Sequence, residues 1–134
     1  MVNSIVARYA DGRTIKGTSL DVAQDRATCH VRTLDGSMVE VALSELKALF
    51  FVKSLDGNPK HVEGSSIAPT DARLRGAKLV EVKFHDGESI VGLSMRWPPN
   101  KQYFFLVPVD NASNNIRILV NQGQVRSLNV VPSV

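Results

Sequence analysis

From Val80 to His85 the chain reads Val-Glu-Val-Lys-Phe-His, a strict alternation of apolar and polar residues. That is the period of a strand with one face buried. Val80, Val82 and Phe84 are predicted to point inward, and Glu81, Lys83 and His85 outward. Ile5-Val6-Ala7-Arg8-Tyr9 has the same apolar frame at Ile5, Ala7 and Tyr9. Each segment runs into Asp-Gly, at Asp11-Gly12 and Asp86-Gly87, the signature of a tight hairpin turn whose glycine takes positive φ. Ile15 and Ile90 then re-enter the core. Gly17 and Gly92 fall two residues later on the same face, where a missing side chain predicts a sharp bend or a close backbone approach.

The two segments are copies. Asp-Gly-x-x-Ile-x-Gly occurs twice at an offset of 75, and the register continues through Ser19-Leu20 on Ser94-Met95, Arg26 on Lys101, His30-Val31 on Phe105-Leu106, and Leu34-Asp35 on Val109-Asp110. The offset then drifts. Val39, Val41 and Leu43 fall on Ile116, Ile118 and Val120 at 77, and Leu46, Leu49 and Phe51 fall on Val125, Leu128 and Val130 at 79. A third strand is predicted over 27–34 and 103–109, and a fourth over 38–43 and 116–120. A single helical turn is predicted over 44–47 and 121–124, and a short last strand over 49–52 and 126–131. An amphipathic helix over 41–52 is set aside, because its partner in the second copy contains Gly123 and is rich in Val and Asn. The predicted fold is mostly β: two tandem five-stranded SH3-like or Sm-like small barrels related by internal duplication, at 1–55 and 77–134. The intervening 56–76, with Gly57, Asn58, Pro59, Gly64, Ser65, Ser66 and Pro69, has the composition of a linker. Val62 and Ile67 are expected to dock it onto a barrel.

Composition changes this picture little. Hydrophobic residues make up 43% of the chain and charged residues 22%, the balance of a globular domain. Two separate cores of this size are each marginal, which favours halves that pack together or dimerise. The net charge of +3 is dispersed: residues 1–55 carry seven Lys/Arg against six Asp/Glu, and residues 77–134 carry six against four. A mixed solvated surface is expected, with a polyanion groove as the lesser reading. The single cysteine, Cys29, can form neither an internal disulfide nor a paired metal motif. No basic-then-apolar leader opens the chain and no apolar stretch is long enough to span a bilayer, so a cytoplasmic protein is expected.

Candidate chemistry is sparse. His30, His61 and His85 have no spacing that makes them converge on a metal, and each reads as structural; His30 takes a core-like strand position because Phe105 matches it. Ser44-x-x-Lys47 has the spacing of some acylating enzymes but lacks their companion motifs, and Ser44 reads as the N-cap of a short turn. Asp11 and Asp86 read as turn residues. The distinctive feature is Trp97-Pro98-Pro99-Asn100, where the first copy has Val22-Ala23-Gln24-Asp25. An aromatic beside two prolines can form a rigid contact surface, and Arg96, Lys101 and Arg117 are expected to surround Trp97 with a modest anion preference.

Leu46-Lys47-Ala48-Leu49-Phe50-Phe51-Val52, continuing to Gly57-Asn58, resembles the hallmark of a bacterial domain family of unassigned activity. Gly92, Phe104-Phe105-Leu106, Pro108 and Asn114-Asn115-x-Arg117 are similar to that family's C-terminal part. The resemblance spans nearly the whole chain and implies a bacterial origin. More distantly the strand order resembles Sm-like RNA-binding proteins, though Ile116-Arg117-Ile118 has Ile where their second motif has Gly. PilZ-type dinucleotide binding is excluded, since no Arg-x-x-x-Arg occurs. The expectation is a non-catalytic interaction module, without cofactor or metal, binding a protein partner or self-assembling through sheet edges. The alternative is an Sm-like nucleic-acid-binding protein.

Overall fold

A computed structural model describes residues 2–57 and 60–131; Met1, Asn58, Pro59 and residues 132–134 lie outside it, and with them the end of the family hallmark and of the second copy. The first copy supplies β1 (Asn3–Tyr9), β2 (Thr14–Ser19), β3 (Thr28–Thr33), β4 (Met38–Ala42) and β5 (Leu46–Val52). The second supplies β6 (Lys78–Phe84), β7 (Ser89–Ser94), β8 (Tyr103–Pro108), β9 (Asn115–Asn121) and β10 (Val125–Val130). In each copy one 3-10 turn precedes the last strand, at Leu43–Glu45 and Gln122–Gln124, where a single helical turn was predicted. Ser44 lies inside the first of these turns, whose N-cap is Ala42 with no side-chain hydrogen bond, so the capping role expected of Ser44 is not observed. No helix among the described residues is long and apolar enough to cross a membrane.

Gly12 and Gly87 take φ of 100° and 93° at the hairpin turns. A Cβ on Gly92 would lie 2.6 Å from Leu106 Cγ, and one on Gly17 would collide with the Arg32 carbonyl. These are the close approaches that the inward glycines predict. They let β2 and β7 bend across β3 and β8.

The two halves pack together, as the small size of each core favours, but they do not close as two five-stranded barrels. All ten strands join one open antiparallel sheet in the order β10-β6-β7-β8-β9-β5-β1-β2-β3-β4. The seam between the copies is a ladder of β5 against β9, with Ala48 opposite Val120, Leu49 opposite Leu119, Phe50 opposite Ile118 and Phe51 opposite Arg117. The physical reason lies in β5, whose seven residues are all buried. Leu46, Leu49 and Phe51 face the first core with Ile5, Ala7, Val31 and Val41. Ala48, Phe50 and Val52 face the second core with Val80, Val82, Phe84 and Leu106. Fully burying a large apolar side chain contributes roughly 1.5–3 kcal/mol, so neither face of β5 can be left in water cheaply. The second copy reciprocates, since Leu119, Tyr103 and Phe105 pack against the first core.

The ladders also correct the alignment of the copies. Thr28 opposite Ala42 recurs as Tyr103 opposite Asn121, and Val31 opposite Val39 recurs as Leu106 opposite Ile118. The offset is therefore 75 through the third strand and 79 from the fourth onward. Val39 matches Ile118 rather than Ile116, and the four extra residues all lie in the loop between β8 and β9. A slip of two residues preserves the inward–outward alternation, so apolar pattern alone does not distinguish 77 from 79. His30 is corrected too: Cys29 and Val31 are the buried residues of β3, and His30 lies on the exposed face.

The linker is partly structured. Ile67 is buried with Ala77, Leu79, Leu93 and Val109, and Leu74 of the 3-10 turn Ala72–Arg75 packs against them. This small third cluster covers the outer face of β6, β7 and β8. Val62, expected to dock, is 86% exposed.

Candidate functional site

In each copy the second and third strands diverge after two residue pairs. β2 and β3 pair only at Gly17–Thr33 and Thr18–Arg32, and β7 and β8 only at Gly92–Pro108 and Leu93–Val107. Beyond Leu93 the gap opens into a groove of about 420 Å³. Phe105 and Val107 of β8 form its floor, Met95, Arg96 and Lys101 its rim, and Gln24 of the first copy reaches in from across the seam. The Gln24 amide donates to the Tyr103 carbonyl at 2.9 Å, which shows that the edge of β8 shared by residues 103 and 105 faces this side. Among the described residues no Asp or Glu lines the groove.

The four residues singled out in the sequence are only partly brought together. Arg96 and Lys101 line the groove. Arg117 projects from β9 and lays its guanidinium over Phe105 at 4.5 Å and Phe51 at 4.3 Å, two rings whose centroids are 6.1 Å apart. It therefore stands beside the groove floor, held by cation–π contact. Trp97 is not part of this group; it is half-buried against the second core. Arg96 and Lys101 share the groove lining with Phe105, and Trp97 does not line it. Sequence reasoning passed over Phe105 because it reads, with His30, as a core-like position. The available signal was the change from His30 to Phe105 on a strand face that reads outward.

In the first copy the corresponding gap is a smaller cleft of about 280 Å³ in which Asp21 takes the strand edge from within. Asp21, which matches Arg96, accepts from the His30 backbone N–H at 2.8 Å and from Ser19 Oγ at 3.1 Å. Its other oxygen lies 2.7 Å from His30 Nδ1. The His30 backbone N–H, then its ring, hold Asp21 down to about 2. The same hydrogen bond raises His30 above its ordinary value. In the second copy Ser94 Oγ, the counterpart of Ser19, donates to the Arg96 carbonyl at 2.8 Å instead.

Other candidate groups are accounted for by structure. Lys47 Nζ bonds Asp86 at 2.7 Å, reaches Glu88 in a second, shorter contact, and lies 4.7 Å from the Phe84 ring centroid. It ties the copies together across the seam. Asp11 and Asp86 each accept a backbone N–H two residues on, at 3.0 and 2.9 Å, the turn chemistry predicted for them. Cys29 is fully buried, and burial pushes its thiol up to about 11, so it is a poor nucleophile at neutral pH.

His61, Glu63 and Asp110 place one ligand atom each within 4.8 Å of the others, a convergence the sequence spacing did not suggest. Asp110, however, already accepts from His61 at 2.7 Å and from the N–H groups of Gly64 and Ala112 at 2.9 Å each. Those bonds clamp the linker to the loop after β8. His85 is exposed, with its backbone N–H donating to the Gln124 carbonyl.

No curated protein and no solved structure matches the chain. One sequence profile does, over residues 1–132, and by that match the chain belongs to a family of unknown function, DUF6982.

Proposed function

We propose that this chain is a non-catalytic interaction module that binds a protein partner in the bacterial cytoplasm, built as a preassembled pair of SH3-like or Sm-like units. The order β5-β1-β2-β3-β4, repeated as β10-β6-β7-β8-β9, supports that reading of each unit.

The observation that carries the proposal is the contrast between the inner seam and the two outer edges. At the seam the second copy offers Tyr103, Phe105 and Leu119 to the first core. At the equivalent positions of the outer edge, the first copy has Thr28, His30 and Glu40, with His30 Nε2 3.5 Å from Glu40. The first copy offers Ala48, Phe50 and Val52 across the seam. Their counterparts are Ser127 and Asn129 on β10 and Val131 just past it, none of them buried. Polar edge residues discourage strand addition. This argues against head-to-tail self-assembly through the same seam and leaves a compact unit whose open feature is the groove at Phe105.

Light scattering on the eluting protein tests the first part, with the mass of one chain expected from micromolar to sub-millimolar concentration. Cross-linking in bacterial cells followed by purification tests the second, with a discrete protein expected after nuclease treatment. A mass rising in multiples of the chain would replace partner binding with self-assembly.

The second reading is single-stranded nucleic acid, favoured by Arg117 stacked on Phe105 beside Arg96 and Lys101. It requires an affinity that falls steeply with salt.

A further inference from the structure

The two copies place different things in the same gap, and the first shows what the second lacks. We propose that the groove between β7 and β8 receives an Asp or Glu side chain of a partner polypeptide, with a neighbouring apolar side chain of that partner seated on Phe105, Val107 and Met95. The inference rests on the interaction-module reading and names the ligand chemistry of its site.

In the first copy the occupant is internal: Asp21 accepts from the His30 N–H and from Ser19 Oγ. The second copy has Arg96 in place of Asp21 and Phe105 in place of His30. The strand register is the same, with His30 opposite Glu40 and Phe105 opposite Leu119. The Phe105 N–H therefore lies on the β8 edge that faces the groove, the edge on which Gln24 already takes the Tyr103 carbonyl. No side chain among the described residues accepts from it. The internal carboxylate has been exchanged for a cation at Arg96, with a second at Lys101 and no lining acid to offset them.

A carboxylate arriving from outside gains a backbone donor and two cations, the charge-assisted bonding that Asp21 obtains internally. The apolar floor explains why a neighbouring apolar group is required: bare carboxylate would leave Phe105 and Val107 in water. About 420 Å³ is at the small end for ligand sites and holds roughly two residues. A nucleic-acid strand needs a track of phosphate contacts. Two other cations of the seam, Arg8 and Lys47, are already paired with Glu88 and Asp86.

The test is amide-shift titration of the full chain with the blocked dipeptide acetyl-Phe-Asp-amide, using acetyl-Phe-Asn-amide as its neutral isostere. Saturable shifts are expected at the Phe105 and Arg96 amides, with affinity at least tenfold lower for the Asn dipeptide. Arg96→Asp returns the first copy's carboxylate to this place. It is expected to abolish binding while moving the Phe105 amide toward a hydrogen-bonded position; Lys101→Glu serves if that variant does not fold. Equal binding of both dipeptides, or shifts that bypass Phe105, would overturn the proposal. So would a labelled oligothymidylate that occupies the groove and is lost with Arg96→Asp. If Arg96→Asp still captures the cross-linked cellular partner, the groove assignment fails and the module reading stands. If the Asp dipeptide binds as expected while no protein is cross-linked in cells, the module reading fails and the groove assignment stands.

Discussion

Lys47 and Arg13 perform the same task for the two copies from different places in the chain. Lys47, on β5 of the first copy, crosses the seam to Asp86 and the Phe84 ring of the second. Arg13, two residues past Asp11 in its own hairpin, closes on Asp11 at 2.8 Å and on the Tyr9 ring at 4.4 Å. The acidic turn of the second copy is neutralised by the first copy, and that of the first copy by itself. Duplication was thus followed by specialisation of each turn for its position.

Lys47 is nearly buried while its carboxylate partners are half-exposed. Lys47→Met is expected to lower stability by about 1.5–3 kcal/mol, the worth of a hydrogen bond to a charged group. Asp86→Asn with Glu88→Gln should cost more, because it strands the buried ammonium. Urea midpoints of the two variants decide the order.

Phe50 belongs by sequence to the first copy and by packing to the second core. Phe50→Asn, which imports the residue found at 129, is expected to destabilise by about 3–5 kcal/mol or more, the range for truncating a buried Phe. Both copies should be lost in a single transition, since they share β5. Fluorescence of Trp97 and far-ultraviolet circular dichroism should give coincident unfolding curves; two separate transitions would contradict the shared core.

The outer edges can be converted to seams. His30→Phe with Glu40→Leu on one edge, and Ser127→Ala with Asn129→Phe on the other, recreate the apolar residues that meet inside the chain. The fourfold variant is expected to form concentration-dependent head-to-tail oligomers, visible by light scattering, where the parent does not. A variant that stays monomeric would show that side-chain polarity is not what guards the edges.

The pH dependence of the Asp21–His30 pair follows from the two shifts. Asp21 is depressed from 3.8 to about 2, so its contribution is full above 3.8 and fades as pH falls toward 2. His30 is raised above 6.5, so its contribution is full below 6.5 and fades as pH rises through the elevated value. The pair therefore helps most between about pH 4 and 6.5. His30→Gln should flatten the stability profile on the alkaline side of that window, measured as urea midpoints across pH against the parent.

Strand positions, turn glycines and the duplication were legible because each follows from local chemistry: a period of two, a positive φ, a repeated Asp-Gly. That the halves associate followed from their size, but which strands join them did not. Ala48, Phe50 and Val52 alternate with Leu49 and Phe51 to make a continuous apolar run, and such a run states that both faces are buried without stating against what. The groove was half legible. Arg96 and Lys101 stand out beside Trp97, but the divergence of β7 from β8 depends on long-range pairing that spacing does not encode. Trp97 stands out as an aromatic beside two prolines where the copies differ, yet its ring rests on the second core.

The division of β5 between two cores has a cost during synthesis. Phe50 meets Ile118 only after 68 further residues have been added. At roughly 5–20 residues per second the nascent first copy carries an uncovered apolar margin for several seconds. During that interval it is a template for any passing strand, including the same segment of a neighbouring chain on the same messenger.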